Sequence, residues 1–227
     1  MRYAVGDIHG GAITFRALLY RLNLRREDQL YLLGDYIDRG PDSKGVLDTI
    51  LQLLAEGYCL HPVRGNHEDM LLQAISGNRD YYLKYWMEGW GTDTLKSFGV
   101  TTPEELPARY LTLLGQMPYI CSDDDFVFVH AGLDMATADP VTESSTITML
   151  WGGSGQFGGD RLQGRTLVTG HHIRPLPLIE LSLLTNHYQL DNGAFTNMPP
   201  DLGNLVALNL DSRELIVQPW CDDKAFL

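Results

Sequence analysis

The sequence predicts an α/β protein in which two packed mixed β-sheets are flanked by helices. Three observations carry that class. The first third alternates short apolar runs with helical periodicity, the strand-helix-strand pattern that builds a parallel sheet. The last third reads as short strands with turns, antiparallel in flavour. Several apolar runs end in glycine beside acidic or imidazole side chains, as strands do when they open into functional loops at one sheet edge.

Arg2-Tyr3-Ala4-Val5 is a short strand running into Gly6-Asp7-Ile8-His9-Gly10-Gly11. On extended backbone Asp7 and His9 face the same side. Apolar residues at Ile13, Leu18, Leu19 and Leu22 predict a helix over 12–22. A second strand over 29–33 opens into Gly34-Asp35-Tyr36-Ile37-Asp38-Arg39-Gly40. Two carboxylates and a guanidinium directly after a buried strand need pairing or a metal. Ser43 is placed to cap a helix whose apolar face is Val46, Leu47, Ile50, Leu51 and Leu54, with Gly57 ending it. A third strand over 58–63 leads into Arg64-Gly65-Asn66-His67-Glu68.

From about 68 to 114 the chain reads as helical, with Pro103 starting a helix and Pro107 near its first turn. Tyr81, Tyr82, Tyr85, Trp86 and Trp90 are expected to pack in a core, and a cap over the site is the other reading of this aromatic-rich segment. The acidic turn 122–125, expected to be solvated, joins a hairpin whose second strand, Phe126-Val127-Phe128-Val129, ends at His130-Ala131-Gly132. A surface loop is expected over 134–145. Leu150-Trp151 then meets a glycine-rich run from Gly152 to Gly159 that precedes no strong helix, so nothing marks it as a phosphate cradle. A strand over 166–169 ends at Gly170-His171-His172, and 178–184, 187–191, 205–210 and 215–217 are read as further short strands. No repeat or linker interrupts the chain, so one domain over 1–227 is expected.

With 227 residues, the chain can bury a full core without staples. Its net charge of −12 argues against a nucleic-acid binder, which needs Lys and Arg to neutralise phosphates. Three widely spaced cysteines, Cys59, Cys121 and Cys221, fit a reducing compartment. Neither a signal peptide nor a membrane span is read, and a cytoplasmic protein is expected. No heptad or apolar stripe announces an obligate protein partner.

The chemically loaded positions at the strand ends are Asp7, His9, Asp35, Asp38, Arg39, Asn66, His67, His130 and His171. Three histidines, two aspartates and an asparagine make a mixed oxygen and nitrogen donor set, suited to Mn, Fe or Zn over Ca or Mg. One ion would not use so many ligands, whereas two would if one carboxylate bridged them. His61 and His187 lack this context and are read as hydrogen-bonded core histidines.

The motifs GDIHG (6–10), GDYIDRG (34–40), GNHE (65–68), HAG (130–132) and GHH (170–172), in that order, resemble the phosphoprotein phosphatase family of metallophosphoesterases, above all the bacterial and bacteriophage serine/threonine phosphatases. The resemblance implies a calcineurin-like metallophosphoesterase fold. It implies that Asp7, His9 and Asp35 hold one divalent metal and that Asp35, Asn66, His130 and His171 hold a second, with Mn2+ ahead of Fe, Zn or Ni. It makes His67 the general acid, Asp38 its orienting carboxylate, and Arg39 the grip on the phosphoryl oxygens, with Asn66 and His67 also facing the substrate.

The expected reaction is hydrolysis of phosphoserine, phosphothreonine or phosphotyrosine in proteins, or of small phosphate esters, by direct attack of a metal-bridging hydroxide. The alternative is a diadenosine tetraphosphatase-like cleavage of phosphoanhydrides. A non-catalytic metal-containing binding module is the third reading. The family usually carries a second phosphate-gripping arginine after a Trp, but Gly152-Gly153-Ser154 follows Trp151 here, leaving Arg161, Arg165 or Arg39 alone for that task. His172 stands where Thr is commoner.

Overall fold

The computed structural model describes residues 1–76, 79–152, 160–196 and 201–223. The run 153–159, which holds most of the glycine-rich segment, lies outside them.

One sheet has the order β3-β2-β1-β8-β9, built from β1 (Arg2–Val5), β2 (Gln29–Leu32), β3 (Cys59–Pro62), β8 (Asn204–Asn209) and β9 (Glu214–Pro219). The other has the order β4-β5-β6-β7, from β4 (Ile120–Ser122), β5 (Phe126–Val129), β6 (Thr166–Thr169) and β7 (His187–Gln189). β1, β2 and β3 run parallel, joined by α1 (Ala12–Leu22) and α2 (Ser43–Ala55), and β8 and β9 add antiparallel. β5, β6 and β7 are also mutually parallel, and only β4 opposes them. The carboxyl ends of both parallel triplets deliver their loops to the site.

Period-two alternation separates the layers. Ala4, Tyr31 and Leu33 face Phe126, Phe128, Val168 and Tyr188 in the core between the sheets, where Tyr31 stacks on Phe128 with ring centroids 3.8 Å apart. Tyr3, Val5, Leu30 and Leu32 point the other way, onto Phe15 and Leu18 of α1 and Val46, Leu47 and Ile50 of α2. Val127, Val129 and Leu167 face outward beneath Met149 of α8 (Thr146–Trp151) and Leu162.

Several local expectations change. The stretch 178–184 lies in and just after a helix, α9 (Leu176–Ser182), because prolines 175 and 177 open it and Ile179 packs beside Tyr188. α9 makes the β6–β7 connection a parallel crossover, so in this half only β8 and β9 pair antiparallel. Asp42, not Ser43, caps α2 by accepting the Gly45 N–H. α1 buries Ala12, Phe15, Leu18 and Leu22 while Ile13 is exposed. Its first turn is capped from far away: Asp222 accepts the N–H groups of Ile13 and Thr14. The 68–114 segment resolves into α3 (Asn66–Ser76), α4 (Arg79–Gly89), α5 (Gly91–Phe98), a 3-10 turn (Pro103–Glu105) and α6 (Ala108–Gln116), with Pro107 at the boundary. The loop 134–145 holds a short helix, α7 (Pro140–Glu143). The acidic turn is a tie between sheets, since Arg2 pairs with Asp123 and Asp125 and the Tyr31 hydroxyl donates to Asp123.

Candidate metal centre

Five non-glycine residues at the strand ends have left-handed backbone: His9 (φ 44°), Asp35 (52°), Asp38 (69°), Arg39 (68°) and His171 (62°). Such strain persists only where the surroundings enforce it, and here they do. The buried Glu68 carboxylate accepts the N–H groups of Asp35, Tyr36, Ile37 and Gly65 at 2.8–3.2 Å. Ile8 and His9 donate their N–H groups to the Asp35 carbonyl. Ser43 and Thr94 hydroxyls take the Asp38 N–H.

This scaffold brings two groups of three donors together, His9, Asp35 and His67, and Asp35, His130 and His171. Asp35 belongs to both. Its Oδ2 faces His9 Nε2 at 3.4 Å and His67 Nε2 at 3.8 Å, while its Oδ1 faces His130 Nε2 at 3.4 Å. Asn66 joins the second group, its Oδ1 lying 2.7 Å from His130 Nε2 and 3.2 Å from His171 Nδ1. Asp7 stands beside both groups and in neither, with its two oxygens accepting the His171 N–H at 3.1 and 3.0 Å.

The donor atoms themselves fit cations. His130 uses Nδ1–H on the Leu33 carbonyl and His9 uses Nδ1–H on the Ile37 carbonyl. In each neutral ring Nε2 then presents a lone pair, to the Asn66 oxygen in one case and to the Asp35 carboxylate in the other. The His130 lone pair facing the Asn66 and Asp35 oxygens in a buried place calls for a cation between them. Burial holds His9 and His130 below the usual imidazole range, and burial with the neighbouring His130 takes His171 to about 3. Burial opposes the Asp35 charge, yet His130, His67, His9 and His171 keep its carboxyl low. Asp7 is pushed well up by burial and then by the charges of Asp191 and Asp35, and Asp191 rises to about 6, again chiefly by burial.

His67 differs from the other imidazoles. Burial disfavours its charge, but Asp35 and the hydrogen bond to Asp38 outweigh it and raise the pKa. Its Nδ1 donates to Asp38 Oδ2 at 2.7 Å, and its buried Nε2 has no hydrogen-bond partner among the described residues. Asp38 is fixed in turn by the Trp86 indole N–H at 2.8 Å and by the Thr94 hydroxyl. The Arg39 guanidinium lies over Phe195, 4.5 Å from the ring centroid, and Trp90, 5.2 Å away, and its buried Nε has no partner among the described residues.

The chemically loaded residues picked out at the strand ends therefore reach one place. Arg161 and Arg165 do not: they donate to the Thr137 and Leu162 carbonyls near the start of β6, about 13 Å of strand from its other end. Trp151 and the exposed His172 flank His171, with ring centroids 5.8 and 4.7 Å from it. Sequence reading gave no role to Glu68, Thr94, Asp191 or Phe195, and read Trp86 only as part of an aromatic-rich core or cap. Only Glu68 carried a signal, as the last residue of GNHE, because the others meet the site from distant segments.

A family model described as calcineurin-like phosphoesterase matches residues 3–192. The chain belongs to the calcineurin-like phosphoesterase family. Among curated relatives, the symmetrical bis(5'-nucleosyl)-tetraphosphatase of Vibrio campbellii is 34% identical over 132 residues, covering 58% of this chain and 44% of that protein. The tetraphosphatase of Nitrosomonas europaea is 32% identical over 132 residues, with the same coverage. The chain thus spans about half the length of the curated relatives it matches. Among solved calcineurin-like folds, a cold-active protein-tyrosine phosphatase from a psychrophilic Shewanella superposes with TM-score 0.64 at 16% identity, covering 96% of this chain and 80% of that one. That likeness concerns the fold. The relatives' name is the alternative drawn from the sequence, not the protein phosphatase its motifs favoured. Among the described residues no helix is long and apolar enough to cross a membrane.

Proposed function

We propose that this chain is a metal-dependent hydrolase that cleaves phosphoanhydride bonds in dinucleoside polyphosphates. The observation that carries the chemistry is Asp35, whose two oxygens face two separate donor groups. The named tetraphosphatase relatives support the substrate class. His9 and Asp35, with Asp7 beside them, would hold one ion, and Asp35, Asn66, His130 and His171 the other. Mn2+, Fe or Zn suits these donors. Two such ions supply an activated water near neutral pH and neutralise charge on the phosphoryl oxygens.

The chain's own groups do the rest. Arg39 offers a planar fork to two phosphoryl oxygens, and its two aromatic neighbours keep that fork from swinging. His67, held by Asp38, is placed to give a proton from Nε2 to the leaving oxygen. α4 and α5 wall this side of the site through Trp86 and Thr94, and we take residues 1–227 as one domain.

A second reading, phosphomonoester hydrolysis on proteins or small esters, is favoured by the His67–Asp38 pair, because an alkoxide needs protonation more than a nucleotide phosphate does. The two readings separate in one panel of diadenosine tetraphosphate, a phosphoserine peptide and p-nitrophenyl phosphate, run on protein purified without chelator and analysed for metal. The dinucleotide should be the best substrate. A phosphopeptide preferred over it would replace the first reading by the second. His67→Asn should slow the peptide by about 10²–10⁴-fold and the dinucleotide far less, since general-acid help scales with leaving-group basicity.

A further inference from the structure

Among the described residues, two partly buried arginines have a guanidinium that meets no hydrogen-bonding or ion-pair partner. They are Arg39 and Arg174, each with a buried, unpartnered Nε. Arg64 shares the buried Nε, but its other nitrogens donate to Tyr119, Asp69 and the Gly115 carbonyl. Leaving a charged donor half out of water with nothing to bind is unfavourable unless a ligand completes it. Arg39 has its task in the centre, and Arg174 has none assigned.

Arg174 borders a cavity of about 610 Å³ against α9 and β7. Leu178 and Leu181 form its apolar wall, 46% and 56% exposed, and Asn186 and Gln189 place amides in the lining. This size and mixture suit a small organic ligand with one anionic end. The backbone of Arg174 is also fixed relative to the centre. Its N–H donates to the Asp191 carbonyl at 2.8 Å, and the Asn192 amide donates to its carbonyl at 2.8 Å. It follows His171 by three residues, at most about 10 Å of backbone, so one extended substrate can engage both.

We infer that this cavity is a subsite for a nucleoside phosphate end of the substrate, with its phosphate on Arg174 and its base against Leu178 and Leu181. The inference rests on the dinucleoside polyphosphate reading and supplies the second cation missing after Trp151, a task that Arg161 and Arg165 are turned away from. A bidentate guanidinium matches phosphate geometry, and an open apolar wall with amides accepts a base without demanding one.

The test measures AMP and adenosine binding by calorimetry to the metal-loaded wild type, Arg174→Gln and Leu181→Trp, with melting curves to verify folding. AMP should bind the wild type. Arg174→Gln should weaken AMP by about ten- to a hundredfold, the worth of charge-assisted hydrogen bonds, and leave adenosine unchanged. Leu181→Trp, which narrows the cavity at its apolar wall, should weaken both. No AMP binding to the wild type, or equal binding to Arg174→Gln, would overturn the subsite. Turnover of diadenosine tetraphosphate is read separately. If it is absent while AMP binding depends on Arg174, the proposed substrate falls and the subsite stands. If it proceeds with KM unchanged in Arg174→Gln, the subsite falls and the reaction stands.

Discussion

Asp35 combines a left-handed backbone, full burial and two oxygens that face imidazoles on opposite sides. The same position cannot be held by a neutral isostere without losing charge for both donor groups. Asp35→Asn should therefore reduce bound metal from about two ions per chain toward none and abolish turnover, while circular dichroism stays native. Retained metal and activity would remove the shared-carboxylate account. Glu68 acts one layer back, through four backbone N–H groups. An amide at position 68 would turn an NH2 toward some of those donors and leave them unpaired. Glu68→Gln should lower unfolding stability by about 2–4 kcal/mol in a denaturant titration. Gly65 is needed for the same reason of space, since a Cβ there would lie 2.2 Å from Asp35 Oδ1.

The pairing of β6 with β7 carries a titratable group away from the centre. His187 Nε2 lies 2.9 Å from the Thr169 hydroxyl, and burial takes its pKa from 6.5 to about 4. The folded state thus binds the proton less readily than the unfolded one. Its contribution to stability is complete above pH 6.5 and is lost as pH falls toward 4. Between pH 7 and pH 5 the loss should be about 1–2 kcal/mol. His187→Gln should flatten the stability profile by that amount over that window, read as the difference between wild type and variant. Identical slopes would show that the ring is not desolvated as described. α9, which brings β7 back parallel to β6, is the element that a local strand reading of leucines 178, 181, 183 and 184 missed. Those leucines carry too little periodicity to distinguish the two, and the decision comes from Ile179 packing beside Tyr188.

Across the whole molecule, two parallel triplets point their carboxyl ends at one cleft and concentrate Asp7, Asp35 and Asp191 there, all buried. Ions that bind this arrangement and not the unfolded chain stabilise it by mass action, about 2.7 kcal/mol at a hundredfold excess over Kd. For a chain of this size that is about 5–10 °C in Tm. Chelation should lower Tm by this amount and Mn2+ should restore it. An unchanged Tm would mean that no ion is held by the folded state.

The motif residues and their order were legible because each ends an apolar strand beside glycine, where a chain can place charge only for a purpose. The layered α/β class was legible because alternation and helical spacing are local properties. Folding decided what depends on distant segments meeting. Asp222 caps α1, Arg2 ties the acidic turn to the first strand, Trp86 and Thr94 lock Asp38, and Phe195 and Trp90 hold Arg39. None of these pairs is close in sequence, so no period or motif could announce them. The donor types were written in the chain, but their convergence on Asp35 and the Arg174 guanidinium, without a partner among the described residues, exist only once the two sheets have packed.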